Sequence, residues 1–157
     1  MQGVAKAVLI SILVAVCILL FVNLVFFFPW YMTLVVETFN LSQVAASDNY
    51  IKEAYYEDAL DRLRSRPIFQ DRAEEVVIIA KNSSGYTAVG DDDENTYENL
   101  AEMEKPYKQR GEPITVEVRA VYPLSISLWG KEVNSELPVS FSMTVVGLKH
   151  YKDLEFY

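Results

Sequence analysis

AVLISILVAVCILLFVNLVFFFPWYMTLVV, residues 7–36, holds no charged side chain. Its 30 residues exceed the ~18 that suffice to suspect a membrane-crossing helix. Outward from this run the charge is one-sided. All 22 acidic residues and 13 of the 14 basic ones fall at Glu37 or later, and only Lys6 comes before it. The 157 residues therefore divide into an apolar N-terminal helix and a charged remainder of about 120 residues. That division excludes a soluble enzyme built around one central core.

A secretory signal has an apolar core of ~7–15 residues and a small-residue cleavage site. This run is twice as long and ends in Val25-Phe26-Phe27-Phe28-Pro29-Trp30-Tyr31, with no such site, so an uncleaved anchor is expected. At 1.5 Å per residue it makes a helix of about 45 Å, longer than a ~30 Å hydrocarbon core. The excess must tilt, protrude or be buried in protein. Lys6 places the amino terminus on the cytoplasmic side, Trp30 and Tyr31 at the far interface, and the acidic domain outside. Pro29 lacks a backbone donor and is expected to kink the helix. Asn23 lies in the apolar phase, either tolerated near a helix end or set against a neighbouring helix.

Past the membrane run, residues 37–66 read as an amphipathic continuation, so that 4–66 form one helix kinked at Pro29. Leu41, Val44, Ile51, Ala54, Tyr55, Ala59 and Leu63 recur mostly at threes and fours, with a gap at Ser47 and Asp48. Asp58 and Arg62 are an i,i+4 pair, and Pro67 stops the helix. Residues 67–157 read as a β-rich globular head. Val76 to Ala80 looks like a buried strand, with Tyr86 to Val89 as its partner. Asn95 to Lys105 is expected to be a short helix capped by Asn95 with Glu98. Ile114, Val116, Val118 and Ala120 alternate with polar residues, as do Leu137, Val139, Phe141, Met143 and Val145. Joined through residues 130–136, these two strands are expected to pair antiparallel. The fold class is α+β: a long, kinked, hydrophobic N-terminal helix followed by a small antiparallel head.

No catalytic constellation is found, no cofactor is expected, and the chain is not expected to be an enzyme. His150 is the one histidine, and no G-x-S-x-G, phosphate loop, H-E-x-x-H or C-x-x-C is present. Cys17 is alone and reads as a small hydrophobe. Asp91, Asp92 and Asp93 are the candidate metal carboxylates, but they lack the spacing of a calcium loop and a solvated loop is preferred. The net charge of −8 argues against direct nucleic-acid binding. Asn40 and Asn82 each begin an N-x-S glycosylation pattern, with Asn82, in a loop, the better candidate. Tyr31, Tyr50, Tyr55 and Tyr56 suit packing either between subunits or of the helix on its own head.

The apolar helix over residues 4–30, its continuation from Thr38-Phe39 to Leu63, the Ile114 to Ala120 strand and the closing strand with Gly147 and Tyr151-Lys152 together resemble type IV pilin-related subunits. More narrowly, the chain is similar to TadE-like pilins and pseudopilins. The resemblance implies a structural subunit of an extracellular, type IV pilus-like filament at the cell surface. Such a subunit waits in the cytoplasmic membrane, meets an assembly machinery, and polymerises with itself into a helical homopolymer with the acidic head outside. Val8, Ile12, Leu13, Val16, Leu19, Leu20, Val22, Leu24 and Phe27 would pack its core. Gly3, Ala5, Ala7, Ser11 and Ala15 would allow close helix approach. Type IV pilins carry a Glu as the fifth mature residue; position 5 is Ala5, and after a cut at Gly3 the fifth would be Val8. The alternative is a bitopic, membrane-anchored accessory protein, a minor pseudopilin, of a secretion or conjugation machine.

Overall fold

The computed structural model describes the backbone of residues 2–128 and 131–155, and the side chains of 3–125 and 131–155. Its first element is a single helix of 47 residues, α1, Gln2–Asp48. The elements that follow are β1 (Ile51–Lys52), α2 (Glu53–Arg64), β2 (Val77–Lys81), β3 (Val89–Gly90), β4 (Pro113–Leu128) and β5 (Lys131–Val146). The fold is α+β, with a long apolar N-terminal helix and a small antiparallel sheet in the order β2-β4-β5. A two-residue parallel pairing of β1 with β3 lies apart from that sheet.

The halves of α1 have different surroundings. From Trp30 onward one stripe is buried: Trp30, Leu34, Thr38, Leu41, Ser42 and Ala45. Their spacing of threes and fours puts them on one helix face, which lies on β4 and β5. Pro29 sits inside the helix and α1 continues through it. The Thr33 hydroxyl donates to the Pro29 carbonyl at 3.0 Å.

The expected single helix over 4–66 does not form. Asn49 has φ of 63°, in the left-handed region, which ends the helical path. Residues 51–52 then form β1, and α2 is a separate helix. The polar gap at Ser47 and Asp48 was the trace of this break. α2 keeps its expected features: Ala59 and Leu63 are buried, and Asp58 pairs with Arg62 at 3.3 Å.

In the sheet, Ile114, Val116, Val118 and Ala120 are all buried, as their alternation requires. The antiparallel pairing of β4 with β5 is as expected, but β5 starts at Lys131 and its register runs from Leu128↔Lys131 to Pro113↔Val146. Residues 131–136 are thus strand and not connection; Gly130 lies outside the described residues. β2 is half-buried and not fully buried, with Ile78 and Ala80 inside and Val77 exposed. The expected partner of β2 over 86–89 is reduced to one antiparallel bridge, Lys81↔Thr87, flanked by hydrogen bonds from the Ala88 amide to the Ala80 carbonyl and from the Asn82 amide to the Tyr86 carbonyl, each 2.9 Å, while Val89 pairs with Ile51. The helix expected over 95–105 is only a 3₁₀ turn, Glu94–Tyr97, and its cap is Asp93, not Asn95.

Candidate functional site

The N-terminal half of α1 is apolar on every side, so no orientation against the head could bury it. Its most apolar 18-residue window has a mean hydropathy of 3.1, and none of that window is buried within the chain. The helix is long and apolar enough to cross a membrane. Val8, Ile12, Leu13, Val16, Leu20, Val22 and Leu24 are exposed, while Leu19 and Phe27 are half-buried. Sixteen large apolar side chains from Val4 to Phe28 stand exposed. Burial is worth roughly 1.5–3 kcal/mol for each such side chain. The sum is tens of kcal/mol, well above the ~5–15 kcal/mol that stabilises a domain. This half of the helix therefore needs lipid or protein around it.

An aromatic collar joins it to the head. Phe27 meets the edge of Tyr122 at 5.1 Å between ring centres and stacks on Tyr31 at 5.8 Å. Trp30 lies 5.1 Å from Tyr122 and 5.3 Å from Phe69. Tyr31 approaches Phe141 at 6.3 Å. Edge and offset contacts of this kind add about 0.5–1.5 kcal/mol each to the area they bury. Trp30 was expected at a membrane interface, but it is 3% exposed and belongs to the head core. Its indole nitrogen finds no partner there among the described residues.

About two turns further on, Glu37 is the first charge after the apolar run, and it is buried at 4% exposure. Arg62 reaches it from α2 at 3.3 Å, and Arg66, just past the end of α2, at 4.0 Å. A buried carboxylate requires such partners. The two arginines thereby tie α2 across α1 at the base of the apolar segment. Sequence periodicity did not pair these residues, because Glu37 stands 25 positions before Arg62.

At the far end of α1, Asn49 is 1% exposed. Its amide nitrogen donates to the carbonyls of Lys108 and Lys149 at 2.8 and 2.6 Å. Its oxygen accepts from the Lys149 amide at 2.9 Å. A Cβ on Gly147 would stand 2.5 Å from Asn49 Cγ, so only glycine admits this approach. Beside it, Tyr107 stacks on Tyr151 at 4.0 Å. Their hydroxyls donate to Asp153 at 2.8 Å and to the Asp48 carbonyl at 2.6 Å. Tyr50 is fully buried and donates to the Asp91 carbonyl at 2.9 Å. Tyr50 therefore packs its own head and not a neighbour, while Tyr31, Tyr55 and Tyr56 remain half-buried. Burial, above all, raises the hydroxyls of Tyr50, Tyr107 and Tyr151 well above the ordinary value. Burial would also raise the Asp153 carboxyl. The Lys105 ammonium and the Tyr107 hydroxyl outweigh it and hold that carboxyl low.

The other candidate residues fall elsewhere. Asp91, Asp92 and Asp93 turn their oxygens to the amides of Asp93, Ala54 and Asn95. Among the described residues no group of three or more His, Cys, Asp or Glu could hold a metal ion. His150 Nδ1 lies 2.9 Å from Gln109 Oε1. The glycosylation preference is reversed. Asn82 is 5% exposed and its oxygen accepts from the amides of Ser84 and Tyr86, so a glycan has no room there. Asn40 is exposed on α1. The Asn82 turn, followed by Gly85 with φ of 81°, is the loop the sequence signalled. Its inward-facing amide carried no signal.

Compared with family models, with curated proteins and with solved structures, the chain matches none.

Proposed function

We propose that the chain is a structural subunit of a pilus-like filament, held in a membrane by α1 before assembly and polymerising through that same helix. The observation that carries this reading is the pairing of a fully apolar, uncovered helix half with a docked half inside one unbroken element. A detachable anchor would be separated from its domain by a linker, whereas here the collar at Phe27, Trp30 and Tyr31 fixes the helix to the sheet. A rigid rod on a compact head suits a polymer, because neighbouring copies of the rod can replace lipid without exposing it to water. Copies related by a contact that does not close build a helical fibre. The acidic head, with 22 acidic residues against 14 basic in the chain, would coat the outside and stay solvated.

The residues proposed to pack the core are those left exposed in the single chain, among them Val8, Ile12, Leu13, Val16 and Leu20. Leu13→Asp tests the reading. A carboxylate would have to be buried between helices at a cost of several kcal/mol. Fibres should disappear in this variant while the chain is still made, and Leu13→Ile should keep them. Normal fibres from Leu13→Asp would contradict the packing. A chain that fractionates with the membrane and never enters a fibre would instead be the bitopic accessory protein.

A further inference from the structure

The β4–β5 hairpin runs back along α1. Leu148, just past β5, donates its amide to the Ala46 carbonyl at 2.8 Å. Further along β5, Phe141 meets Tyr31. Further still, Tyr122, paired with Leu137, meets Phe27 and Trp30. Each step toward the hairpin tip is thus a step toward the amino end of α1. β2 pairs with β4 only as far as Arg119, so from Ala120 the ribbon is two-stranded. Six residue pairs lie beyond Tyr122↔Leu137, about 20 Å of ribbon at ~3.3 Å per residue. That ribbon leaves the head on the side from which the apolar half of α1 projects.

Partners directly opposite in a sheet share a face, and alternate residues return to it. Tyr122 and Leu137 form the pair level with α1, so Leu124 and Val133 lie on the same face. Val133 is 57% exposed and Leu137 47%. Glu132, Asn134 and Glu136 alternate onto the opposite face. Ser135 and Lys131 share the first face, which is therefore mainly apolar, with a lysine toward the tip, and continuous with the collar, while the other is polar.

We propose that this face of the ribbon, through Leu124, Val133 and Leu137, rests on the lipid surface that α1 crosses. The proposal rests on the membrane-anchored state described above. A bilayer that takes in the apolar half of α1 must meet this end of the head. The free backbone edges of a two-stranded ribbon keep it out of the hydrocarbon, so contact is at headgroup level, where the Lys131 stem and ammonium also fit. The ribbon would hold the head at one tilt on the membrane before extraction.

The test uses the full chain with Cys17→Ser, reconstituted into vesicles of phosphatidylcholine and phosphatidylglycerol. Single-cysteine variants Val133→Cys, Leu137→Cys, Met103→Cys and Leu13→Cys carry an environment-sensitive fluorophore. Quenching is read from lipids bearing a nitroxide at headgroup or mid-chain depth. The expected result is several-fold stronger headgroup-level quenching at 133 and 137 than at 103, with mid-chain quenching at 13. Quenching at 13 with position 133 no different from 103 would overturn the proposal and leave the anchor standing. No quenching at 13 would overturn both. Blue-shifted but unquenched emission at 133 would mean that another protein surface, such as a second copy, covers the ribbon, and the proposal would fail.

Discussion

Asn49 decides where the long helix stops and what meets it there. Its positive φ and its three side-chain hydrogen bonds act together. Asn49→Gly keeps the backbone but leaves buried groups unpaired, and should cost about 2–3 kcal/mol. Asn49→Ala adds the left-handed penalty, about 1 kcal/mol more. Gly147→Ala should cost about 1–3 kcal/mol, because the new methyl group would overlap the Asn49 amide. Denaturant unfolding of the full chain in detergent checks all three, and an unchanged Asn49→Ala would remove the residue from this role. The neighbouring tyrosines give a pH prediction. In the unfolded chain they ionise near pH ~10, while Tyr50, Tyr107 and Tyr151 in the fold hold their protons to higher pH. The unfolded state then binds fewer protons, so stability is complete below pH ~10 and falls above it. Tyrosinate absorbance should rise together with loss of helix signal, and early tyrosinate signal from an intact fold would contradict the burial. At this scale the sequence was least legible. Asn49 carried no sequence signal beside the gap at Ser47 and Asp48, since both its left-handed backbone and its partners 59 and 100 positions away are tertiary facts.

Glu37 plays the corresponding part between elements, clamping α2 to α1. Its partners Arg62 and Arg66 are half exposed, with side-chain exposures of 48% and 47%. Removing the acid leaves charges that water can reach. Glu37→Gln should therefore cost only about 1–2 kcal/mol. Removing both arginines strands a buried carboxylate, and that double variant should cost about 3–5 kcal/mol. Thermal unfolding in detergent gives the order, and the reverse order would sink the clamp. The apolar half of α1 was legible from its unbroken run without charge, and the buried alternation of β4 and its pairing with β5 from their period of two. Residues 131–136 of β5 were not, because a ribbon wetted on one face by Glu132, Asn134 and Glu136 reads as a polar connection. Nor was the short parallel pairing of β1 with β3, since two residues carry no period.

For the whole molecule, the division of the chain into an apolar rod and a charged head was plain in the sequence, because charge and hydropathy change once, at Glu37. How rod and head join was not, because Phe27, Trp30 and Tyr31 belong by composition to the membrane run and by packing to the head. That overlap packs the base of the rod directly on the sheet, and it underlies the proposal of a polymer whose rods pack inside and whose heads face water. The most direct measurement is to shear surface fibres from the native cells, image them in negative stain and identify their main band by mass spectrometry. The account predicts a thin, regular fibre in which this chain is the main band. Fibres without it, with the chain confined to the membrane fraction, would contradict the account.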